Sequence, residues 1–257
     1  MDGALLGMFM VSASVFGVLL FHPGSRVVRG VRSEALRRGL MGLAMGSTAA
    51  LLIYSPWGTT SGAHMNPAVT IAFLALGKIT GVDAALYCGA QVLGGLVGIV
   101  AAWAVMGVRL THPAVQCVAT LPGRFGAKWA AVAEFGIAFT QLLVVLVTAN
   151  IMATQRMTGL IAGAMVAGWV FFLAPVSGMS MNPARTLASA VVARRWDALW
   201  VYALVPPLGM LSAAGVYVLL DGHVFCAKLC HPSAAAGCPF RCEFGTLSGV
   251  YGQPTRQ

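Results

Sequence analysis

The chain has 257 residues, 58% of them hydrophobic and only 9% charged, with a formal net charge of +9. A soluble domain carries about 25% charged residues, so this composition excludes one and describes an integral, multi-pass membrane protein. Of the 16 Lys and Arg, all but Arg185 lie outside the apolar stretches. The positive charge belongs to loops and tails, where it meets anionic lipid headgroups and biases orientation. Scattered over separate loops, it makes no nucleic-acid surface.

About 20 apolar residues span a bilayer, and six stretches approach that length: 3–21, 39–54, 84–106, 129–150, 158–176 and 198–220. The first has no basic segment before it and HPGS after it, so it reads as a membrane helix rather than a cleavable signal. Two shorter apolar segments, 66–76 and 182–193, open inside a repeated motif. SGAHMNPAVT at 61–70 and SGMSMNPART at 177–186 agree at seven of ten positions, with their asparagines 116 residues apart. Pro67 and Pro183 suit the first position of a helix, where the missing N–H has no partner to lose. Asn66 and Asn182 suit the N-cap before it, and Ala68 and Ala184 continue the helix. Eleven residues rise about 16 Å, half of a hydrocarbon core of about 30 Å.

Each half of the chain thus holds three spans and one half-membrane helix. Three is odd, so the second half is inserted upside down relative to the first. The fold class is an all-α membrane protein: six transmembrane helices plus two half-membrane helices in an inverted repeat. The repeats cover approximately 1–110 and 125–220, and a cysteine-rich tail occupies 221–257. The half-helices then meet at the midplane, N-terminus to N-terminus. Each end carries about half a positive elementary charge, so the pair disfavours cations while a neutral dipolar solute passes. Arg185 lies three residues after Asn182 and is costly at membrane depth unless it faces a wet lumen.

The paired Asn-Pro-Ala motifs and their surroundings resemble the aquaporin (major intrinsic protein) family over roughly residues 3–220, as a bacterial-type water channel with a Cys-rich tail. The resemblance implies the aquaporin fold, a homotetramer with one pore per subunit, and no required cofactor. It assigns the pore motifs to Asn66, Pro67, Ala68, Asn182, Pro183 and Ala184, and a narrow filter to Met45, Val170, Met179 and Arg185, with Gly46 as the alternative to Met45 because 54–58 reads as an insertion. Water-selective members usually carry an aromatic, a His and a small or Cys residue where this chain has Met, Val and Met. Glycerol-type members follow the Arg with Asp and carry a basic residue further on; here stand Thr186 and Ala190. The last span has Tyr202–Ala203 in place of the water-type aromatic pair. The absence of Cys at Met179 implies little mercury inhibition from that position. Glu134 matches a buried acid that supports the pore loops, while in the first half Ala4 stands where its counterpart belongs and Asp2 is only nearby. His64 is a loop-support candidate as much as a pore ligand.

The function implied is a passive channel for water, with small uncharged solutes as further candidates. A glycerol- or metalloid-type facilitator is the alternative, followed by a secondary transporter or an occluded structural membrane protein. Within the spans and half-helices only Glu134 and Arg185 titrate, which disfavours ion coupling, and no nucleophile–base pair or phosphate loop supports an enzyme. In the tail, Cys226, Cys230, Cys238 and Cys242 with His231 resemble a zinc-like metal site in composition, though not in the usual spacing; free thiols or two disulfides remain open. The expected location is a bacterial inner membrane. The family places both termini in the cytoplasm, yet this puts ten Lys and Arg on outer loops against five inside, the reverse of the usual bias.

Overall fold

The computed structural model describes residues 1–231 and 238–244; the rest of the tail, including Arg256, lies outside the described residues. The helices run in order α1 (Asp2–Phe21), α2 (Arg26–Gly30), α3 (Glu34–Tyr54), α4 (Pro56–Ser61), α5 (Pro67–Ala75), α6 (Gly81–Met106), α7 (Val108–Thr111), α8 (Gly126–Ala149), α9 (Thr158–Ser177), α10 (Pro183–Ala193) and α11 (Leu199–Leu219). Six long helices and two half-length ones, α5 and α10, match the sequence reading. The short α4 occupies the site of the apparent insertion before the first motif.

Five of the long helices are long and apolar enough throughout to cross a bilayer. The exception is α3. Its first turns carry Glu34, Arg37 and Arg38, so its apolar part begins only at Gly39. Arg38 Nε donates to the carbonyl of Phe171 at 2.8 Å, which keeps the guanidinium near the mouth rather than in lipid. Outward faces of the long helices expose Leu93, Val97, Phe172 and Leu204, the surface a hydrocarbon solvent requires.

The helices pack in pairs: α1 against α6, α8 against α11, and α3 against α9 across the two halves. The half-helices are exchanged. α5 of the first half packs on α11 of the second, and α10 packs on α6. Glycines set the closest approaches. A methyl group at Gly94 would overlap the Gly3 carbonyl across the α1–α6 seam, and one at Gly46 would overlap the Gly163 carbonyl across α3–α9. Small residues of this kind let backbones touch where lipid supplies no hydrophobic drive for association.

Two substitutions within α6 separate this packing from helix propensity. Gly94→Ala places a methyl into the α1 backbone, while Gly89→Ala meets nothing within 4 Å. Thermal unfolding in detergent is expected to show Gly94→Ala destabilised by about 1–3 kcal/mol, as for overpacked cores. Gly89→Ala should equal or slightly exceed the parent.

Candidate functional site

The two repeated motifs adopt the same unusual backbone. Gly62, Ala63 and Met65 have φ of 87, 54 and 48°, and Gly178, Met179 and Met181 have φ of 75, 47 and 60°. Left-handed conformations cost a non-glycine residue roughly 1–2 kcal/mol, so four such residues need strong external restraint. A buried carboxylate supplies it in each half. Glu134 Oε1 accepts from the Ser177 hydroxyl at 2.7 Å and the Ser180 N–H at 2.9 Å, and Oε2 accepts from the Met181 N–H at 2.6 Å. Asp2 accepts from the Ser61 hydroxyl at 3.1 Å, the Met65 N–H at 2.8 Å and Gln91 Nε2 at 2.6 Å.

Asp2, which the sequence reading placed only near the expected position at Ala4, is therefore the counterpart of Glu134. The register differs between halves because α2 and α4 lengthen the first one. A second pair was also missed: the Tyr87 hydroxyl donates to the Ser61 carbonyl at 2.8 Å, and the Tyr202 hydroxyl to the Ser177 carbonyl at 2.7 Å. Both tyrosines sit on the third span of their half, and their spacing nearly repeats that of the asparagines. Asp2 also adds a titratable group to the two counted in the spans and half-helices.

Asn66 and Asn182 cap α5 and α10. Their Oδ1 atoms accept from the Ala68 N–H at 2.9 Å and the Ala184 N–H at 3.0 Å, with Arg185 N–H adding 3.2 Å. Their amides cross the interface between repeats: Asn66 Nδ2 donates to the Met181 carbonyl at 2.8 Å, and Asn182 Nδ2 to the Met65 carbonyl at 2.7 Å. The half-helices are thus locked end to end, as the inverted topology requires.

One cavity of about 400 Å³ runs past this junction. Its lining includes Glu34 in the first turn of α3 and Ile53 in its last, about 28 Å apart along the helix axis. Met45, Val170, Met179 and Arg185 all line it, as do Asn66, Asn182 and His64. Gly46 packs on α9 instead, against the Gly163 carbonyl. Arg185 Nη1 is buried without a hydrogen-bond partner. Gln141, which no motif marked, also lines the cavity, held by the Trp169 indole N–H at 3.1 Å.

His64 ties the first loop to the tail. Its Nε2–H donates to the Ala227 carbonyl at 2.8 Å while Nδ1 faces the Thr70 hydroxyl at 3.0 Å. All six cysteines are free. The donor atoms of Cys226, His231, Cys238 and Cys242 lie within 4.8 Å of one another. Cys230 does not join them, which corrects the five-residue set of the sequence reading. Cys230 is buried in the same apolar cluster as Cys226, and the adjacent His231 supplies the fourth donor. Burial pushes the Cys226 and Cys242 thiols above the ordinary range. Lys78, hydrogen-bonded to Glu243, holds that carboxyl below its usual value, with His223 adding to the effect.

Replacing Glu134 by Gln presents an NH2 to backbone donors, losing a charge-assisted bond of about 1.5–3 kcal/mol. Glu134→Gln and Asp2→Asn should each lower thermal stability by that order and reduce permeability per folded molecule. Asp197→Asn, on an exposed loop, should change neither.

The chain matches the family model described as Major intrinsic protein over residues 5–217. It is 33% identical over 219 residues to Aquaporin NIP2-2 of Zea mays, covering 84% of this chain and 72% of that protein. It is 32% identical over 204 residues to Aquaporin NIP6-1 of Arabidopsis thaliana, covering 79% and 65%. It is 39% identical over 162 residues to Aquaporin NIP3-1 of Oryza sativa, covering 62% and 50%. The chain thus spans less than two thirds of the length of the last two relatives. Among solved structures, the aquaglyceroporin from Plasmodium falciparum superposes with a TM-score of 0.69 at 20% identity, covering 85% of this chain and 96% of that one. That likeness shows the aquaporin fold, and the family match over residues 5–217 takes in both motifs, Glu134 and the greater part of all six long helices: the chain belongs to the major intrinsic protein family.

Proposed function

We propose that the protein is a passive channel for water, with small uncharged solutes as further substrates. One observation carries this reading: a single cavity passes the facing N-termini of α5 and α10 and then Arg185. The two helix ends present positive potential to whatever occupies the junction, and such ends exclude protons and cations. Each asparagine amide has two protons; one crosses to the opposite loop, leaving the other for a passing oxygen. Arg185 offers a donor and a full positive charge nearer the α3 N-terminal mouth.

A proton-coupled carrier is disfavoured because Asp2 and Glu134 are each committed to three donors. An enzymatic reading gains no support from the lining residues, and permeation calls for no cofactor. The metal ligand candidates of the tail do not line the cavity, so a metal there would not contact a permeating solute. A second reading, a facilitator for glycerol-sized solutes, is favoured by the apolar wall that Met45, Val170 and Met179 set beside Arg185. It suits a solute with a hydrocarbon side and hydroxyls. Homotetramers with one passage per subunit belong to the same proposal.

The mouth that bears the tail is assigned to the cytoplasm, because its four free tail thiols, Cys226, Cys230, Cys238 and Cys242, suit a reducing compartment. The named relatives are plant proteins, so a bacterial inner membrane is carried only as part of this proposal.

Stopped-flow shrinkage of proteoliposomes under a sucrose gradient should exceed that of empty vesicles; equal rates with verified folded protein would sink the channel reading. Rapid glycerol re-entry would move the solute class to the second reading. Arg185→Ala removes a fixed charge worth about 1–4 kcal/mol to a nearby cation. Water should still pass, while cation leak measured with an entrapped dye rises about tenfold or more.

A further inference from the structure

Beyond α11 the chain turns back under the mouth formed by the first motif, and two tail segments touch it. In the first, the Ala227 carbonyl accepts from His64, and the Leu229 N–H donates to the Gly62 carbonyl at 3.2 Å. Leu229 itself lines the cavity. In the second, Phe240 stacks on His64 with ring centroids 5.5 Å apart. The Arg241 N–H donates to the Lys78 carbonyl at 3.1 Å, and Glu243 pairs with Lys78. So small a unit cannot build a core of its own and ordinarily needs a disulfide or metal to hold its shape.

The four clustered side chains bridge the two segments. Cys226 and His231 flank the first, and Cys238 and Cys242 flank the second. Ligands held tetrahedrally by zinc at ~2.3 Å lie about 3.7 Å apart. The Cys226 and Cys238 sulfurs are 3.6 Å apart, and the Cys242 sulfur is 3.3 Å from His231 Nε2. The first distance is far beyond a disulfide bond of about 2.05 Å. We propose that Cys226, His231, Cys238 and Cys242 bind a thiophilic divalent cation of the zinc class, and that loading this site fixes the tail as a cap on the mouth beside Leu229.

The site stands independently of the channel reading; only its effect on permeation rests on that reading. A cation at about 100 times its Kd shifts a docked–undocked ratio by about 100-fold when it binds the docked form alone. Full-length protein purified under reducing conditions and loaded with cobalt(II) should show the visible bands of a tetrahedral thiolate site at about one equivalent per chain. Cys226→Ser/Cys242→Ser should lose them, and Cys230→Ser should keep them. Peptide mapping after maleimide treatment should find Cys230 protected with zinc and labelled after chelation. Well under one equivalent, equal binding by the double variant, or a Cys226–Cys238 disulfide in reduced preparations would overturn the site. Zinc-independent labelling of Cys230 would overturn the cap. In vesicles, chelation should speed water flux in the parent and leave the double variant unchanged. A failed channel reading would instead leave both at the rate of empty vesicles without altering the metal count.

Discussion

Everything at the centre of this molecule depends on two carboxylates buried beside strained backbone. Each motif loop must turn back on itself so that a helix can begin halfway through the membrane. That turn uses left-handed residues with side chains, Ala63, Met65, Met179 and Met181. Their conformational cost is offset by charge-assisted bonds from Asp2 and Glu134, which are stronger than neutral ones. The same bonds satisfy loop N–H groups that neither lipid nor helix could satisfy. Remove the anchors and the asparagine caps lose their aim, since Met65 and Met181 are held by the carboxylates and also accept from the opposite asparagines.

Much of this was legible in the sequence because duplication writes its own key. Two identical Ser-Gly and Met-Asn-Pro-Ala frames, each opening a half-length apolar run, give element types, inversion and the meeting of helix ends by counting alone. Met45, Val170, Met179 and Arg185 were assigned to a filter by the family resemblance, and all four lie on the lining of the cavity. The acid of the first half was harder. Asp2 is separated from its serine by 59 residues and Glu134 from its serine by 43, and no local pattern announces that difference. The anchoring roles of Tyr87 and Tyr202 were hidden for another reason: in a span rich in apolar residues a tyrosine looks like packing, and Tyr202 was noted only as part of the Tyr202–Ala203 pair. Only aligning the two halves against each other would have marked them.

The tail resisted for a physical cause as well. Its ligand candidates are chosen by which way neighbouring side chains turn, so composition named five residues and the fold gathers four. Cys230 stays outside the group of donor atoms that its neighbour His231 joins. Spacing could not reveal that the two tail segments rest on the same loop, because the contacts run to His64, Gly62 and Lys78, more than 140 residues earlier.

The exchange of half-helices has a further consequence, for how such a chain is made. α5 rests on α11, the last long helix synthesised, while α10 rests on α6 of the earlier half. The first motif therefore waits, during synthesis, for a wall that the ribosome has yet to deliver. A chain halted after α6 would leave its re-entrant segment without the surface that covers it. Two such halves could complete each other only as an antiparallel couple, each lending its third span to the other's loop. The present fold is that couple written into one polypeptide, with the partnership made permanent by the connection between α6 and α8.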